Sequence, residues 1–232
     1  MNMKMNEVII LCGGAGTRLA SVVPNKQKAL AEVRGVPVLD MIISGLIQNG
    51  FKRIVLATGV RGDQVRAHVA DIAVPTDCEI VVSEEKEPLG TGGAIRSALS
   101  YIHGEHFLAI NGDAFFGGIN FNEALEYHRG KNAGVTLVAV APRTEADYGR
   151  VDIATDGRAG FREKAGAGSL MSAGAYWMNR RLIAELPEGP LSAENDFFPR
   201  LAAEGRLYGY RSAGYVTDIG TPERYRTANG EV

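Results

Sequence analysis

Three glycines in four positions, Gly13, Gly14 and Gly16, are followed at once by Thr17 and Arg18, with Lys26 and Lys28 further on. Glycine lets a backbone turn sharply and approach a ligand with no Cβ in the way. A turn of bare N–H groups beside fixed cations suits a polyphosphate. The turn follows Glu7-Val8-Ile9-Ile10-Leu11-Cys12, an apolar run that reads as a buried strand. Leu11 and the glycines therefore stand where such a ligand would lie. Two familiar phosphate loops are excluded. A P-loop needs Gly-Lys before its Ser or Thr, and here Gly16 precedes Thr17-Arg18. The dinucleotide fingerprint needs Gly or Ala where this chain has Leu19.

Two acids complete the pattern. Asn111-Gly112-Asp113 follows the fifth apolar strand, and Thr217-Asp218-Ile219-Gly220 lies near the end of the chain. Open α/β sheets place ligands at the carboxyl ends of their strands. An Asp beside Gly is, taken alone, a turn former. Two that converge on a polyphosphate can hold a hard cation, and magnesium takes one or two carboxylates plus the substrate's phosphates. We therefore expect Mg2+ on Asp113 and Asp218.

The elements that must position these residues alternate. Val38, Leu39, Ile42, Ile43, Leu46 and Ile47 have helical spacing after Pro37, and Asn49-Gly50 suits a left-handed cap. Strands are expected over 53–57, 79–83, 107–110 and 135–140, with helices over 62–69, 91–101 and 122–129 between them. That alternation predicts a largely parallel sheet covered on both faces. After Ala141 the pattern changes. Segments 148–153 and 159–162 flank Asp156-Gly157, a hairpin signal. Further strands are expected over 172–178, 207–211 and 215–219, with helices over 194–203 and from Thr221-Pro222 onward. Residues 142–232 thus read as antiparallel additions to the 1–141 part, and no linker divides the 232 residues.

Composition limits the partners. The net charge is −2, so no general field draws the chain to nucleic acid or to an anionic membrane. Its two cysteines, Cys12 and Cys78, form no zinc or CxxC pattern, and a reduced cytosolic setting follows. The four histidines, at 68, 103, 106 and 128, lack metal-ligand spacing and read as surface or packing residues. The first residues, MNMKMN, lack the apolar core of a signal peptide, and no run reaches membrane-spanning length.

The run Gly13-Gly14-Ala15-Gly16-Thr17-Arg18-Leu19 with Lys28 downstream resembles the signature of the sugar-1-phosphate nucleotidyltransferases. The prolines that usually flank the family's Lys are here Gln27 and Ala29, so a less rigid loop is expected. The resemblance implies a single Rossmann-like α/β domain, with residues 1–141 mainly binding nucleotide and 142–232 mainly binding sugar phosphate. It implies catalytic roles for Arg18, Lys28 and Asp113, and metal-binding roles for Asp113 and Asp218. Relatives often continue into a left-handed β-helix, which is not expected in this chain.

Pro88-Leu89-Gly90-Thr91-Gly92-Gly93 is similar to the family's base-and-ribose loop, so Gly90 and Thr91 join Leu11, Gly13, Gly14, Gly16, Thr17, Asn111 and Gly112 as expected nucleotide contacts. Relatives using uridine or thymidine nucleotides carry Gln where this chain has Glu85. An amide pairs with one N–H beside carbonyls. Guanine offers two donors side by side, which an acceptor-only carboxylate can take together. GTP is therefore the expected nucleotide, read by Glu85, with Glu84 and Glu87 as alternatives. Phe161-Arg162-Glu163-Lys164 resembles the family's motif whose Lys holds the sugar phosphate, and Ser172-Ala173-Gly174 stands where the family has Asn-Ala-Gly. The resemblance thus places Gly149, Glu163, Lys164, Ser172, Gly174 and Glu194 on the sugar 1-phosphate. Ala20-Ser21-Val22-Val23-Pro24 resembles the family's heptose 1-phosphate guanylyltransferases, implying GDP-heptose supply for a capsule or other surface polysaccharide. Mannose 1-phosphate, UTP or dTTP as substrates, and a non-catalytic nucleotide-binding subunit, are the competing readings. A homodimer is compatible with the sequence.

Overall fold

The computed structural model describes residues 6–142, 148–162 and 170–231. In chain order the strands are β1 (Asn6–Cys12), β2 (Glu32–Val33), β3 (Val36–Pro37), β4 (Phe51–Thr58), β5 (Glu79–Glu84), β6 (His106–Asn111), β7 (Ala114–Gly117), β8 (Val135–Val140), β9 (Arg150–Ile153), β10 (Ala159–Arg162), β11 (Leu170–Asn179), β12 (Leu207–Arg211) and β13 (Tyr215–Asp218). The helices are α1 (Val38–Gln48), α2 (Gly62–Ala70), α3 (Gly90–Ala98), α4 (Phe121–Gly130), α5 (Arg180–Ala184), α6 (Phe198–Ala203) and α7 (Pro222–Asn229).

Nine strands form the central sheet, in the order β10-β9-β11-β6-β1-β4-β5, with β8 also paired to β11 and β12 to β8. β5, β4, β1 and β6 are parallel neighbours, as the alternating pattern predicts. β11 runs antiparallel to β6, β8 and β9, and so ties the second half of the chain into the sheet rather than beside it. The period of two along β1 explains the two covered faces. Val8, Ile10 and Cys12 pack with the apolar side of α1, with Val65 of α2 and with Phe121 and Leu125 of α4. Ile9 points the other way, toward Ile95 of α3, Leu182 of α5 and Phe198 of α6. Such alternation is what a strand buried between two helical layers requires.

Three local features differ from expectation. β7 and α5 carry no strong periodic signal, and both form. The expected helix over 194–203 is divided: Ala193–Phe197 is a wide π turn and α6 follows it. Pro199 lies in the first turn of α6, where its missing N–H leaves no α-helical bond to continue the preceding turn. Among the described residues no helix is long and apolar enough to cross a membrane.

His128 of α4 is fully buried, its Nδ1 at 2.9 Å from Thr136 Oγ1 and its Nε2 at 3.0 Å from His106 Nδ1. Burial, then the neighbouring His106 and Arg129, pushes its pKa down from 6.5 to about 3. Between those values the unfolded chain binds a proton that the native state refuses. Stability from this residue is therefore complete above the unfolded value and falls as pH drops toward the folded one. We expect the urea midpoint to fall between about pH 7 and about pH 4.5, with a slope of at most about 1.4 kcal/mol per pH unit from this group. In His128→Gln that part of the slope should vanish, as urea titrations at several pH values would show.

Candidate functional site

The loop after β1 rims a cavity of about 490 Å³, lined by Leu11, Gly13, Gly14, Gly16, Thr17 and Arg18. Gly16 has φ +63°, a left-handed conformation that favours glycine. Gly90 and Thr91 at the start of α3, and Asn111, Gly112 and Asp113 after β6, line the same cavity. β1 and β6 are parallel neighbours, so their carboxyl ends must open on one cleft. A second cavity of about 330 Å³ adjoins it, with Gly149, Ser172, Gly174, Glu194 and Asp218 in its wall. Arg18, Thr91, Asn111 and Asp113 line both cavities, so the two meet at these residues. Glu163 and Lys164 lie outside the described residues.

Lys28 reaches into the first cavity and forms an ion pair with Asp113 Oδ2. The loop that carries it lacks the prolines but is tied down by hydrogen bonds. Gln27 is buried; its Nε2 donates to Cys12 O and its Oε1 accepts from Ala29 N. Gln27 N donates to Gln64 Oε1 at 2.7 Å, and Gln64 Nε2 donates to Asn25 O at 2.9 Å. Gln27 also has φ −64°, the angle a proline ring would impose. A buried amide thus does with hydrogen bonds what a ring does covalently. In contrast, Arg18 is exposed and has no ion-pair partner among the described residues.

Asp218 comes to Asp113 through strand pairing. β13 runs antiparallel to β7, with Asp218 opposite Ala114, and Ile219 N donates to Asp113 O at 3.0 Å. Asp218 Oδ1 accepts from Gly220 N at 2.7 Å and from Arg224 Nη1 at 3.1 Å. Its Oδ2 is buried without a hydrogen-bond partner among the described residues. A buried, unsatisfied carboxylate oxygen is costly unless a cation completes it. Among the described residues no group of three or more His, Cys, Asp or Glu could hold a metal unaided. The two aspartates therefore fit a magnesium ion that takes its remaining ligands from phosphates and water.

Glu85 lines the first cavity, whereas Glu84 pairs with Arg66 at 2.6 Å and Glu87 is exposed away from it. Gly13 and Gly59 leave the space that the Glu85 carboxylate fills. Burial raises its pKa, and a long hydrogen bond from Leu89 N at 3.4 Å opposes the shift. Between the cavities, Thr91 Oγ1 donates to Glu194 Oε2 and accepts from Ala193 N at 2.8 Å. Glu194 Oε1 accepts from the buried Tyr176 hydroxyl at 3.4 Å, and burial followed by the Glu194 charge holds that phenol un-ionised. Gly174 has φ +68°, and a Cβ there would lie 2.6 Å from Asn111 Nδ2. One residue of the second cavity, Arg224, carries no recognisable signal in the sequence. An arginine in the first turn of a helix reads as a solvent-facing charge.

Two adjoining cavities at the carboxyl ends of parallel strands, rimmed by a Gly-rich loop, are where an α/β sheet of this order takes its ligands. The chain belongs to the nucleotidyl transferase family, whose model matches residues 7–232. It is 34% identical over 231 residues to the D-glycero-alpha-D-manno-heptose 1-phosphate guanylyltransferase of Aneurinibacillus thermoaerophilus, covering 97% of this chain and 98% of that protein. It is 31% identical to the mannose-1-phosphate guanylyltransferase of Mycobacterium tuberculosis over 94% of this chain, and spans 62% of that longer protein. The solved structure of HddC from Yersinia pseudotuberculosis complexed with GMP-PN superposes with a TM-score of 0.86 at 30% identity, covering 98% of this chain and 99% of that one.

Gln27→Ala would leave the Cys12 carbonyl buried and unpaired. We expect a loss of about 1–3 kcal/mol of stability, measured as a lower urea midpoint at unchanged slope.

Proposed function

We propose that this chain transfers the guanylyl group of GTP to a sugar 1-phosphate, with D-glycero-α-D-manno-heptose 1-phosphate as the preferred acceptor. An acceptor phosphate oxygen attacks the α-phosphorus, the bond from that phosphorus to the bridging oxygen breaks, and pyrophosphate leaves as GDP-heptose forms. The observation that carries this reading is the meeting of two cavities at Arg18, Thr91, Asn111 and Asp113. Two bound reactants there would face each other across the loop cations, which is what an in-line displacement needs. The nucleophile is already an anion, so no general base is required.

The residues divide the work. The loop N–H groups and the exposed Arg18 hold the β- and γ-phosphates. Lys28 exchanges Asp113 for the α-phosphate when nucleotide arrives, since both partners offer anionic oxygens. Glu85 takes the two donors of guanine, its desolvated carboxylate gaining from them the partners that burial denies it. Thr91 and Glu194 link nucleotide and sugar sides, Ser172 and the backbone at Gly149 and Gly174 face the sugar, and Lys164 with Glu163 adds to that side. Asp113 and Asp218 hold Mg2+, which supplies charge neutralisation on the phosphates when bound. In this reading residues 1–141 serve mainly the nucleotide and 142–232 mainly the sugar phosphate, in a cytoplasmic protein that feeds capsule, lipopolysaccharide or other surface polysaccharide synthesis. Mannose 1-phosphate is the second acceptor to test, because the Mycobacterium tuberculosis relative carries that activity in its name.

Pyrophosphate release, followed across GTP, UTP and dTTP against heptose, mannose and glucose 1-phosphates, tests the assignment. Release confined to GTP with the heptose or mannose compound is expected, and release with UTP alone would refute the guanylyl reading. Glu85→Gln should reduce the preference for GTP over UTP by about 10–100-fold, the cost of one lost charged hydrogen-bond pairing. For Lys28→Ala we expect kcat to fall by about 10²–10³. Activity within a few-fold of the parent would remove Lys28 from the reaction.

A further inference from the structure

Arg224 is the third residue of α7, whose start is capped by Thr221 Oγ1 accepting from Arg224 N at 3.3 Å. A cation in a helix's first turn stands against the helix dipole. The helix itself therefore gives no reason for an arginine here. Its guanidinium carbon lies 4.2 Å from the centre of the Tyr148 ring, and its Nη1 donates to Asp218 Oδ1. Stacking on one side and an ion pair on another fix the plane of the group. Its Nε and Nη2 have no partner among the described residues, and the side chain, 19% exposed, lines the second cavity.

Charge makes this position matter. Asp113, Glu194 and Asp218 all line the second cavity; Lys28 pairs with Asp113 from the first cavity, and the cations among the described lining residues of the second are Arg18 and Arg224. Arg18 also stands in the first cavity, at the junction. A phosphate entering the second cavity therefore finds its cationic partners, among the described lining residues, at these two groups. A guanidinium held in a fixed plane presents parallel N–H donors that match phosphate oxygens and loses little freedom on binding.

We propose that Arg224, set in place by Tyr148 and Asp218, binds the phosphate of the acceptor sugar 1-phosphate. The proposal rests on the guanylyl-transfer reading and adds a residue to its acceptor side. The rival role is neutralisation of Asp218 alone. The two separate in steady-state kinetics, with acceptor varied at saturating GTP and GTP varied at saturating acceptor. Arg224→Gln should raise KM for the acceptor by about 10–100-fold, as for a lost hydrogen bond to a charged group, with KM for GTP little changed. Arg224→Lys should fall between, keeping charge without the fork. An unchanged acceptor KM with a fall in kcat in both variants would overturn the proposal. Should the parent protein transfer guanylyl to no sugar 1-phosphate, that failure belongs to the functional reading. Calorimetric titration with inorganic phosphate then decides the role of Arg224: weaker binding by both variants supports it, and equal binding overturns it.

Discussion

Two aspartates, one from the middle of the chain and one from near its C-terminus, share one cleft, and their mutual repulsion must be offset for the fold to close there. Each has its own cation. Lys28, on the pinned loop after β1, pairs with Asp113. Arg224, at the start of α7, pairs with Asp218. The side chains of these pairs are largely removed from water, so the surroundings screen them less than surface charges. Breaking one partner of such a pair leaves a desolvated charge behind. The arrangement is therefore sensitive to where the first loop and the last helix are held. The core behind β1 and the β7–β13 ribbon fix those places.

That ribbon also marks what could be read in the sequence. The parallel strands from β1 to β6 were legible because each is a short apolar run bounded by turn residues. The glycine loop, Asp113 and Asp218 were legible through residue type and placement at strand ends, and Lys28 through the resemblance of the loop and its downstream Lys to a known motif; all of them line the two adjoining cavities. The ribbon itself was not legible. Ala114–Gly117 is a four-residue run that finds its partner only in β13, nearly the whole second half of the chain away. Local periodicity holds no record of such a pairing. α5 is five residues long, too short for a helical repeat to register. Gln27 escaped for a different reason: its replacement of proline suggested slackness, and only burial shows its amide to be a brace.

Coupling between the two cavities has a physical basis in Thr91 and Glu194. Thr91 begins α3, whose apolar side packs on the sheet beside β1, while Glu194 sits in the π turn before α6. Thr91 Oγ1 donates to Glu194 Oε2, and Ala193 N donates back to Thr91 Oγ1 at 2.8 Å, so the link between them is reciprocal. Gly92 N and Gly93 N also donate to Leu191 O, at 2.9 and 3.1 Å, so backbone and side chain secure the same seam. A shift of α3 with ligand in one cavity would thus be carried into the wall of the other.

β11 has a register break between Ser172 and Tyr176 where it faces β8, while its pairing with β6 from Ala175 onward is regular. The irregular stretch includes Ser172 and Gly174, which line the second cavity; the regular stretch belongs to the core. An extra or missing residue at a bulge is absorbed locally, without rotating the rest of the strand onto its other face. A change of chain length at this kink would therefore reshape the wall of the second cavity without turning the remainder of β11 over.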